Sequence, residues 1–450
     1  MKTRSIRLYD TYQAKVREFV PIEEGKVSIY YCGPTVYNYV HIGNMRPVVT
    51  FDLLERVMKA CGYEVHMISN YTDIDDKIIK RALEEKKSEK ELSDYYIKAY
   101  EENLKGLNIL PLENHPRVSN YIPEIVDFIS KIMDNGYAYK AGGDVYFSVT
   151  DDPGYGKLSK MNVDDLISGS RVETNEAKKS PMDFALWKVT DDKGIKFDTK
   201  LGSGRPGWHT ECVVMINSYF KKPTIDIHGG GFDLKFPHHE NENAQSWAYS
   251  GKNLANYWMH VGFINLNNAK MSKSLGNIVL AKDAIEKYGG NVIRYLFIST
   301  YYRSPINFSS EAVETARVEV EKLKKFSDSF QVKFALNGLE PSDGINSEEF
   351  DEFLGYLADD LNVANAITVL DKVIKEGNKA LRNSRTSSEE LFKCYNTFNK
   401  MIDTLGLKFE RKVVSEEDKK IYDDYLAAKK ERNFDKSDKL REKLIERKIL

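Results

Sequence analysis

The sequence predicts an α/β region built on a parallel sheet, interrupted by an inserted α+β unit and followed by an all-α region. Three observations predict this. Residues 26–104 run strand, helix, strand, helix, the order that lays parallel strands side by side with helical crossovers. Between about 115 and 200 the alternation gives way to short segments separated by Gly, Asp and Lys turns. Beyond about residue 310 strand signals vanish and helical periodicity takes over. The expected division is 1–114 and 201–260 for two halves of the sheet domain, 115–200 for the insert, 261–310 for a linker and 311–450 for the helical region.

Lys26 to Cys32 (KVSIYYC) is a short β-branched and aromatic run that suits a buried strand. The turn Gly33-Pro34-Thr35 and the tetrapeptide His41-Ile42-Gly43-Asn44 follow. Val48 to Cys61 has helical apolar spacing and stops at Gly62. Glu64 to Asn70 reads as a second strand. Asp73-Ile74-Asp75-Asp76 opens a long charged helix to about residue 104, its acidic first turn suiting the helix dipole. DVYFSV (144–149) typifies the insert. PTIDIHGGGFDL (223–234) returns to a strand with a glycine turn, and YWMHVGFINL (257–266) is strand-like. Residues 338–347 (GLEPSDGINS) form a loop between helices, and the tail from about 415 is helical and highly charged.

A chain of 450 residues, 41% hydrophobic and 30% charged, has room for about three units with cores of their own. Lys plus Arg total 66 against 68 for Asp plus Glu, a net charge of −2. That excludes a globally basic nucleic-acid binder but not local basic surfaces. The four cysteines, at 32, 61, 212 and 394, are far apart and form no C-x-x-C pair, so no disulfide scaffold is expected. The charged start has no apolar core of a secretory leader, and no run of about 18 apolar residues is present. A soluble, cytoplasmic, monomeric chain with no membrane partner is the expectation.

Several short patterns carry chemistry. His41-Ile42-Gly43-Asn44 sits where a strand feeds a helix. Backbone amides there attract phosphate, a histidine can donate to a phosphoryl oxygen, and a glycine permits close approach of a base or ribose. By itself the tetrapeptide also fits an ordinary loop. Lys270-Met271-Ser272-Lys273-Ser274 offers two mobile cations suited to a polyphosphate, or simply a solvated basic loop. Ile227-His228-Gly229-Gly230-Gly231 lets backbone approach a ligand, and Asp233 can accept from ribose hydroxyls; a flexible turn is the alternative. His238 and Glu242, four apart, share one helical face and can meet one ion or merely touch each other. Lys429 to Lys448 holds nine basic and five acidic residues, a solvated helix or an RNA-facing surface.

Together, the His-Ile-Gly-Asn and Lys-Met-Ser-Lys-Ser signatures, in this order around an α/β sheet, resemble class I aminoacyl-tRNA synthetases. Cys32-Gly33-Pro34-Thr35-Val36-Tyr37, Thr72-Asp73-Ile74-Asp75-Asp76-Lys77, Asp183-Phe184-Ala185-Leu186-Trp187-Lys188 and Gly204-Arg205-Pro206-Gly207-Trp208-His209-Thr210-Glu211-Cys212 resemble the cysteinyl-tRNA synthetase family. So do Ile227 to Leu234 and Phe236-Pro237-His238-His239-Glu240-Asn241-Glu242. These motifs cover about the first 310 residues. Asp360-Leu361-Asn362 and Ser437-Asp438-Lys439-Leu440-Arg441 extend the likeness into the helical region. One departure is Asn44, where the generic signature has His; an amide still donates but cannot be cationic.

The resemblance implies a Rossmann-type catalytic domain that activates L-cysteine with ATP and magnesium and transfers it to tRNA(Cys). It implies one zinc ion per chain on Cys32, Cys212, His238 and Glu242, with His239 the alternative to His238. It implies catalytic roles for His41, Lys270 and Lys273. ATP contacts fall to His41, Gly43, Asn44, Gly229, Gly230, Gly231, Asp233, Lys270 and Lys273, and substrate contacts to Gly33, Thr35, Trp208 and His209. The helical region becomes the tRNA anticodon-binding part. The competing expectations are an enzyme of the same fold that joins cysteine to an amino sugar, and a non-catalytic RNA-binding relative.

Overall fold

In the computed structural model, residues 3–161, 177–266 and 278–449 are described, with 269 and 270 as backbone. They fall into two units: residues up to 309 together with 358–362, and 310–357 together with 363–450.

The first unit begins with an antiparallel hairpin, β1 (Arg7–Asp10) and β2 (Lys15–Glu18). β3 (Lys26–Tyr31) follows, then α1 (Ile42–Ala60) and β4 (Glu64–Ser69). β3 is buried along almost its whole length, as a central parallel strand covered on both faces must be. α1 starts well before the expected Val48. His41 is its N-cap and Pro47 lies inside it. A proline in the second turn forfeits one backbone bond, and burial of Val49, Phe51, Leu54 and Val57 outweighs the loss, each worth roughly 1.5–3 kcal/mol.

The single charged helix expected after Asp73 is two: α2 (Asp76–Glu85) and α3 (Glu89–Gly106). Lys86 turns left-handed at φ 54°, and Ser88 and Glu91 form a reciprocal capping box that starts the second helix. The insert contributes α4 (Ile122–Asp134), β5 (Ala138–Ala141), β6 (Asp144–Phe147), β7 (Phe184–Val189), β8 (Phe197–Thr199) and β9 (Gly202–Pro206). Its sheet is antiparallel, in the order β5-β6-β7-β9-β8.

The chain then returns to the parallel sheet through α5 (Trp208–Phe220), β10 (Ile225–Gly231), α6 (Glu240–Ser250) and β11 (Ala255–Val261). All strands of this sheet are parallel, in the order β11-β10-β3-β4. The chain winds outward from β3 in one direction and from β10 in the other. The crevice between their carboxyl ends is therefore the topological switch point, where such sheets bind ligands.

The strand-like run 257–266 is split. β11 ends at Val261, and β12 (Ile264–Leu266) joins a separate sheet with β13 (Ala269–Lys270) and β14 (Ile306–Phe308). The break falls at Gly262, whose N–H turns to the Tyr302 carbonyl at 2.8 Å. Two helices, α7 (Ala281–Tyr288) and α8 (Gly290–Ser299), precede β14.

The second unit is helical: α9 (Ser310–Asn337), α10 (Ser347–Ala358), α11 (Val363–Arg382), α12 (Ser388–Leu405), α13 (Glu416–Lys430) and α14 (Phe434–Glu446). Its core includes Phe326, Phe330 and Phe398, with Phe326 and Phe398 ring centres 4.6 Å apart. No helix among the described residues is long and apolar enough to cross a membrane.

Candidate functional site

The switch-point crevice is a cleft of about 340 Å³, in the size range of small-molecule sites. The carboxyl end of β3 supplies Cys32, Gly33 and Thr35. The start of α1 supplies His41, Gly43 and Asn44. Gly231 and Asp233 come from the end of β10, and Gly262 and Phe263 from beyond β11.

α1 begins at the wall of this cleft, so the positive end of its dipole falls there. The His41 backbone N–H donates to Asn44 Oδ1 at 3.1 Å. Asn44 thus closes the first turn, a structural use that a neutral amide serves well. The His41 segment also pairs with residues just beyond the second signature: Ile42 N–H donates to the Val279 carbonyl at 2.9 Å, and Ala281 N–H to Val40 at 3.0 Å. Lys270 ends β13; its side chain and Lys273 lie outside the described residues.

The three glycines of β10 are in the strand, not in a turn. A Cβ at Gly229 would run into the Met259 carbonyl on the neighbouring strand and into Phe51, and one at Gly230 would meet Leu234 at 2.8 Å. Those two are small because the sheet packs closely; only Gly231 borders the cleft. Gly33 has a similar reason, since a Cβ there would strike the Asn70 carbonyl.

Cys32 is also part of a second feature beneath the cleft. Its Sγ lies 3.8 Å from Cys212 Sγ on α5 and 3.9 Å from Glu242 Oε1 in the first turn of α6. His238 Nε2 is 2.9 Å from Glu242 Oε1 and 3.8 Å from Cys212 Sγ. One ligand atom from each of Cys32, Cys212, His238 and Glu242 lies within 4.8 Å of the others. A second set passes the same test, with His228 and His239 replacing Cys212 and His238. His239 Nε2 is 3.3 Å from Cys32 Sγ. Two thiols, an imidazole and a carboxylate, converging and all buried but the half-buried Cys32, are a donor set compatible with zinc.

The electrostatics match a preformed cation site. Burial opposes ionisation of Cys212, but its bonds to Cys32 and His238 prevail and bring the thiol down to about 7. Burial likewise opposes charge on His238, yet Glu242 and Cys212 push it up to about 10. Glu242, despite burial, is held well below the usual carboxylate range by His238 and His228. Burial and the neighbouring Cys212 push the Cys32 thiol up.

Trp208 and His209 open α5 beside this set. Trp208 stacks on the His238 ring with centres 4.2 Å apart and stays 41% exposed. His209 Nδ1 is 3.0 Å from His238 Nδ1, and burial, then the charge on His238, lowers its pKa to about 3. Together they border an adjoining cavity with Tyr146 and Lys188.

Sequence reasoning missed the residues that hold this floor in place. Asn70 Oδ1 accepts from Gly33 N–H at 2.9 Å, and its amide donates to Thr72 Oγ1 at 3.2 Å. The Thr72 hydroxyl donates to Glu211 Oε2 at 2.9 Å, tying the loop after β4 to the residue before Cys212. Thr72 opens the Thr72–Lys77 motif, but its partner lies 139 residues on, so spacing gives no hint of the pair.

A doubly wound sheet whose switch-point crevice opens onto a thiol–imidazole–carboxylate set suits an enzyme that binds a nucleotide beside a metal-competent site. Residues 18–318 match the family described as tRNA synthetases class I (C) catalytic domain, and residues 352–410 match the DALR domain. The fold is shared with a Mycobacterium tuberculosis methionyl-tRNA synthetase solved with methionyl-adenylate: TM-score 0.61, 13% identity, 84% of this chain and 89% of that one. The chain is 44% identical over 450 residues to a cysteine–tRNA ligase of Halalkalibacterium halodurans, covering 98% of this chain and 96% of the relative. It is 42% identical over 453 residues to that of Staphylococcus carnosus, covering 99% and 97%. The chain belongs to the cysteine–tRNA ligase family.

Proposed function

We propose that the chain activates L-cysteine with ATP and passes the cysteinyl group to tRNA(Cys), as a cytoplasmic monomer. The observation that carries this is the double placement of Cys32. It borders the cleft that His41, Gly43 and Asn44 face, and it belongs to the metal-competent set beneath that cleft. Nucleotide chemistry and thiol recognition therefore meet at one residue.

In the first step the cysteine carboxylate attacks the α-phosphorus of ATP, the α–β phosphoanhydride breaks and pyrophosphate leaves. Positioning and charge stabilisation supply most of the acceleration in such transfers. The N-terminus of α1 and His41 stabilise the phosphoryl oxygens, Gly43 leaves room for adenosine, and Asp233 accepts from the ribose. Lys270 and Lys273 hold the departing pyrophosphate with magnesium. In the second step a hydroxyl of the terminal adenosine of tRNA attacks the acyl carbonyl and AMP leaves.

Cys32, Cys212, His238 and Glu242 hold zinc, in preference to the set with His228 and His239, because they offer two thiolates rather than one. Zinc bound there would supply a borderline-soft cation that prefers a thiolate to a neutral hydroxyl. Gly33, Thr35, Trp208 and His209 enclose the amino acid. The helical residues 311–450, which include the DALR match, bind tRNA at its anticodon end.

The test is cysteine-dependent exchange of pyrophosphate into ATP, followed by transfer to tRNA or to an amino sugar. Exchange with tRNA charging is expected. Exchange with transfer only to the sugar, or no exchange at all, would overturn the proposal.

A further inference from the structure

The five residues 358–362 leave the helical unit, join the first unit as the turn between α10 and α11, and return. The backbone of this turn is unusual. Asp360 and Leu361 are consecutive left-handed residues, at φ 56° and 55°, and neither is glycine. A bulky leucine adopts that conformation only where its surroundings fix it.

The surroundings are centred on the Asp360 carboxylate, which is 6% exposed. Oδ1 accepts from the Tyr9 backbone N–H at 2.8 Å and from the Tyr302 hydroxyl at 2.8 Å, and Oδ2 accepts from the Tyr301 hydroxyl. The Asp360 N–H donates to the Arg7 carbonyl at 2.8 Å. Burial, then Asp360, raises the Tyr301 phenol to about 12 and lifts Tyr302 well above its ordinary value, so both remain donors.

What Asp360 grips leads to the cleft by three routes. The Tyr301 carbonyl accepts from Arg46 Nη2 at 3.2 Å, and Arg46 Nη1 donates to the carbonyls of Gly262 and Phe263 at 2.8 and 3.1 Å. Arg46 is fully buried and stands on α1 between Asn44 and Pro47, which line the cleft as Gly262 and Phe263 do. The Tyr302 carbonyl takes the Gly262 N–H, and a side chain at Gly262 would meet the Arg303 and Ser304 carbonyls at 2.7 and 2.6 Å. Finally, β14 begins just after this turn and pairs with β12, which pairs with β13, the strand carrying Lys270.

The geometry points to Asp360 as a positioning residue for the ATP step: it fixes the 301–304 turn, and through it the cleft wall at 262–263, α1 with its His41 cap, and the strand that leads into the Lys270 loop. The donors to the Asp360 carboxylate are Tyr9, Tyr301 and Tyr302, not Cys32, Cys212, His238 or Glu242, so its loss should weaken the ATP side of the site more than cysteine binding. This rests on the proposed cysteine activation only for its kinetic readout.

The test compares full-length wild type with Asp360→Ala, Asp360→Asn and Tyr302→Phe. The measurements are pyrophosphate exchange with separate KM values for ATP and cysteine, ATP binding by equilibrium dialysis, and thermal unfolding. Asp360→Ala, still cooperatively folded, should lose at least about 10-fold in kcat/KM for ATP, and ATP binding should weaken, while KM for cysteine stays within about twofold. Asp360→Asn keeps Oδ1 for Tyr9 and Tyr302 and should recover part of the loss, and Tyr302→Phe should give a smaller loss of the same kind. Unchanged ATP binding and exchange in folded Asp360→Ala would overturn the assignment. So would a parallel loss for ATP and cysteine that tracks the unfolded fraction. Absence of exchange in wild type would overturn the proposed function instead, and the ATP-binding comparison would still decide the role of Asp360.

Discussion

Cys32 and Cys212 hold their sulfurs 3.8 Å apart across 180 residues of sequence, one at the end of β3 and one buried in α5. That separation leaves the two thiols unlinked and aimed at a common point with His238 and Glu242. Wild type should carry about one zinc per chain, and Cys212→Ala or His238→Ala should lose it. Cysteine and serine differ by one atom, which pocket shape alone separates poorly, whereas a group that only the right substrate satisfies can reach roughly 10⁴-fold. The same variants should therefore lose cysteine affinity and the preference over serine together. Metal analysis paired with adenylation of both amino acids checks this. Zinc kept by Cys212→Ala but lost from His239→Ala would move the ion to the other set.

His41 caps the helix that points into the cleft, and its flanks are hydrogen-bonded to residues 279–281 beyond the second signature. If it acts on charge that develops during phosphoryl transfer, His41→Ala should lower pyrophosphate exchange by on the order of 10²-fold or more with little change in cysteine affinity. Lys273→Ala should do the same. Near-normal exchange in either variant would remove that residue from the mechanism.

The parallel sheet and the helical remainder were legible because both express themselves in local periodicity: buried β3 as a nearly continuous apolar run, α9 and α11 as spaced apolar stripes. The errors fall where a local signal was outweighed or overlooked. The apolar spacing placed the start of α1 at Val48, but the helix begins at Ile42 with Pro47 inside it, and Ser88 with Glu91 marks a helix start hidden inside a charged run. Gly262 interrupts what looks like one strand because its N–H is claimed by Tyr302, a partner no sequence window contains. The glycines after Ile227 read as ligand-approach positions or a flexible turn; they continue β10, and Gly229 faces the Met259 carbonyl across the sheet. Asp360 was visible only as part of a family-like tripeptide, since its three donors come from residues 9, 301 and 302.

Asp52 on α1 is fully buried and accepts from Arg294, from Arg56 Nε at 2.8 Å and from the Leu110 N–H at 2.7 Å. It joins α1, α8 and the segment after α3. Removing one partner of a buried ion pair leaves the other charge uncompensated, which typically costs about 3–5 kcal/mol. Asp52→Ala should lower the unfolding free energy of the first unit by that order. A loss near 1 kcal/mol in chemical denaturation would show that the Arg294 charge finds another neutralising contact.

His115 offers a pH test away from the cleft. Its ring stacks on Tyr71 with centres 4.8 Å apart, and its Nδ1–H donates to the Ser69 carbonyl at 3.1 Å. Burial holds its pKa below the ordinary histidine value, with the Ser69 bond opposing only in part. The fold thus favours the neutral ring. In the unfolded chain the ring takes a proton near pH 6.5, so below that pH the unfolded state binds more protons than the native state. This contribution to stability is complete above about pH 6.5 and is lost as pH falls from there through the lowered native value. Unfolding free energy measured from pH 7.5 down to 5 should therefore decline more steeply in wild type than in His115→Phe, which keeps the aromatic stack but cannot titrate. Parallel pH profiles for the two proteins would mean that His115 takes up its proton in the native state as readily as in the unfolded chain.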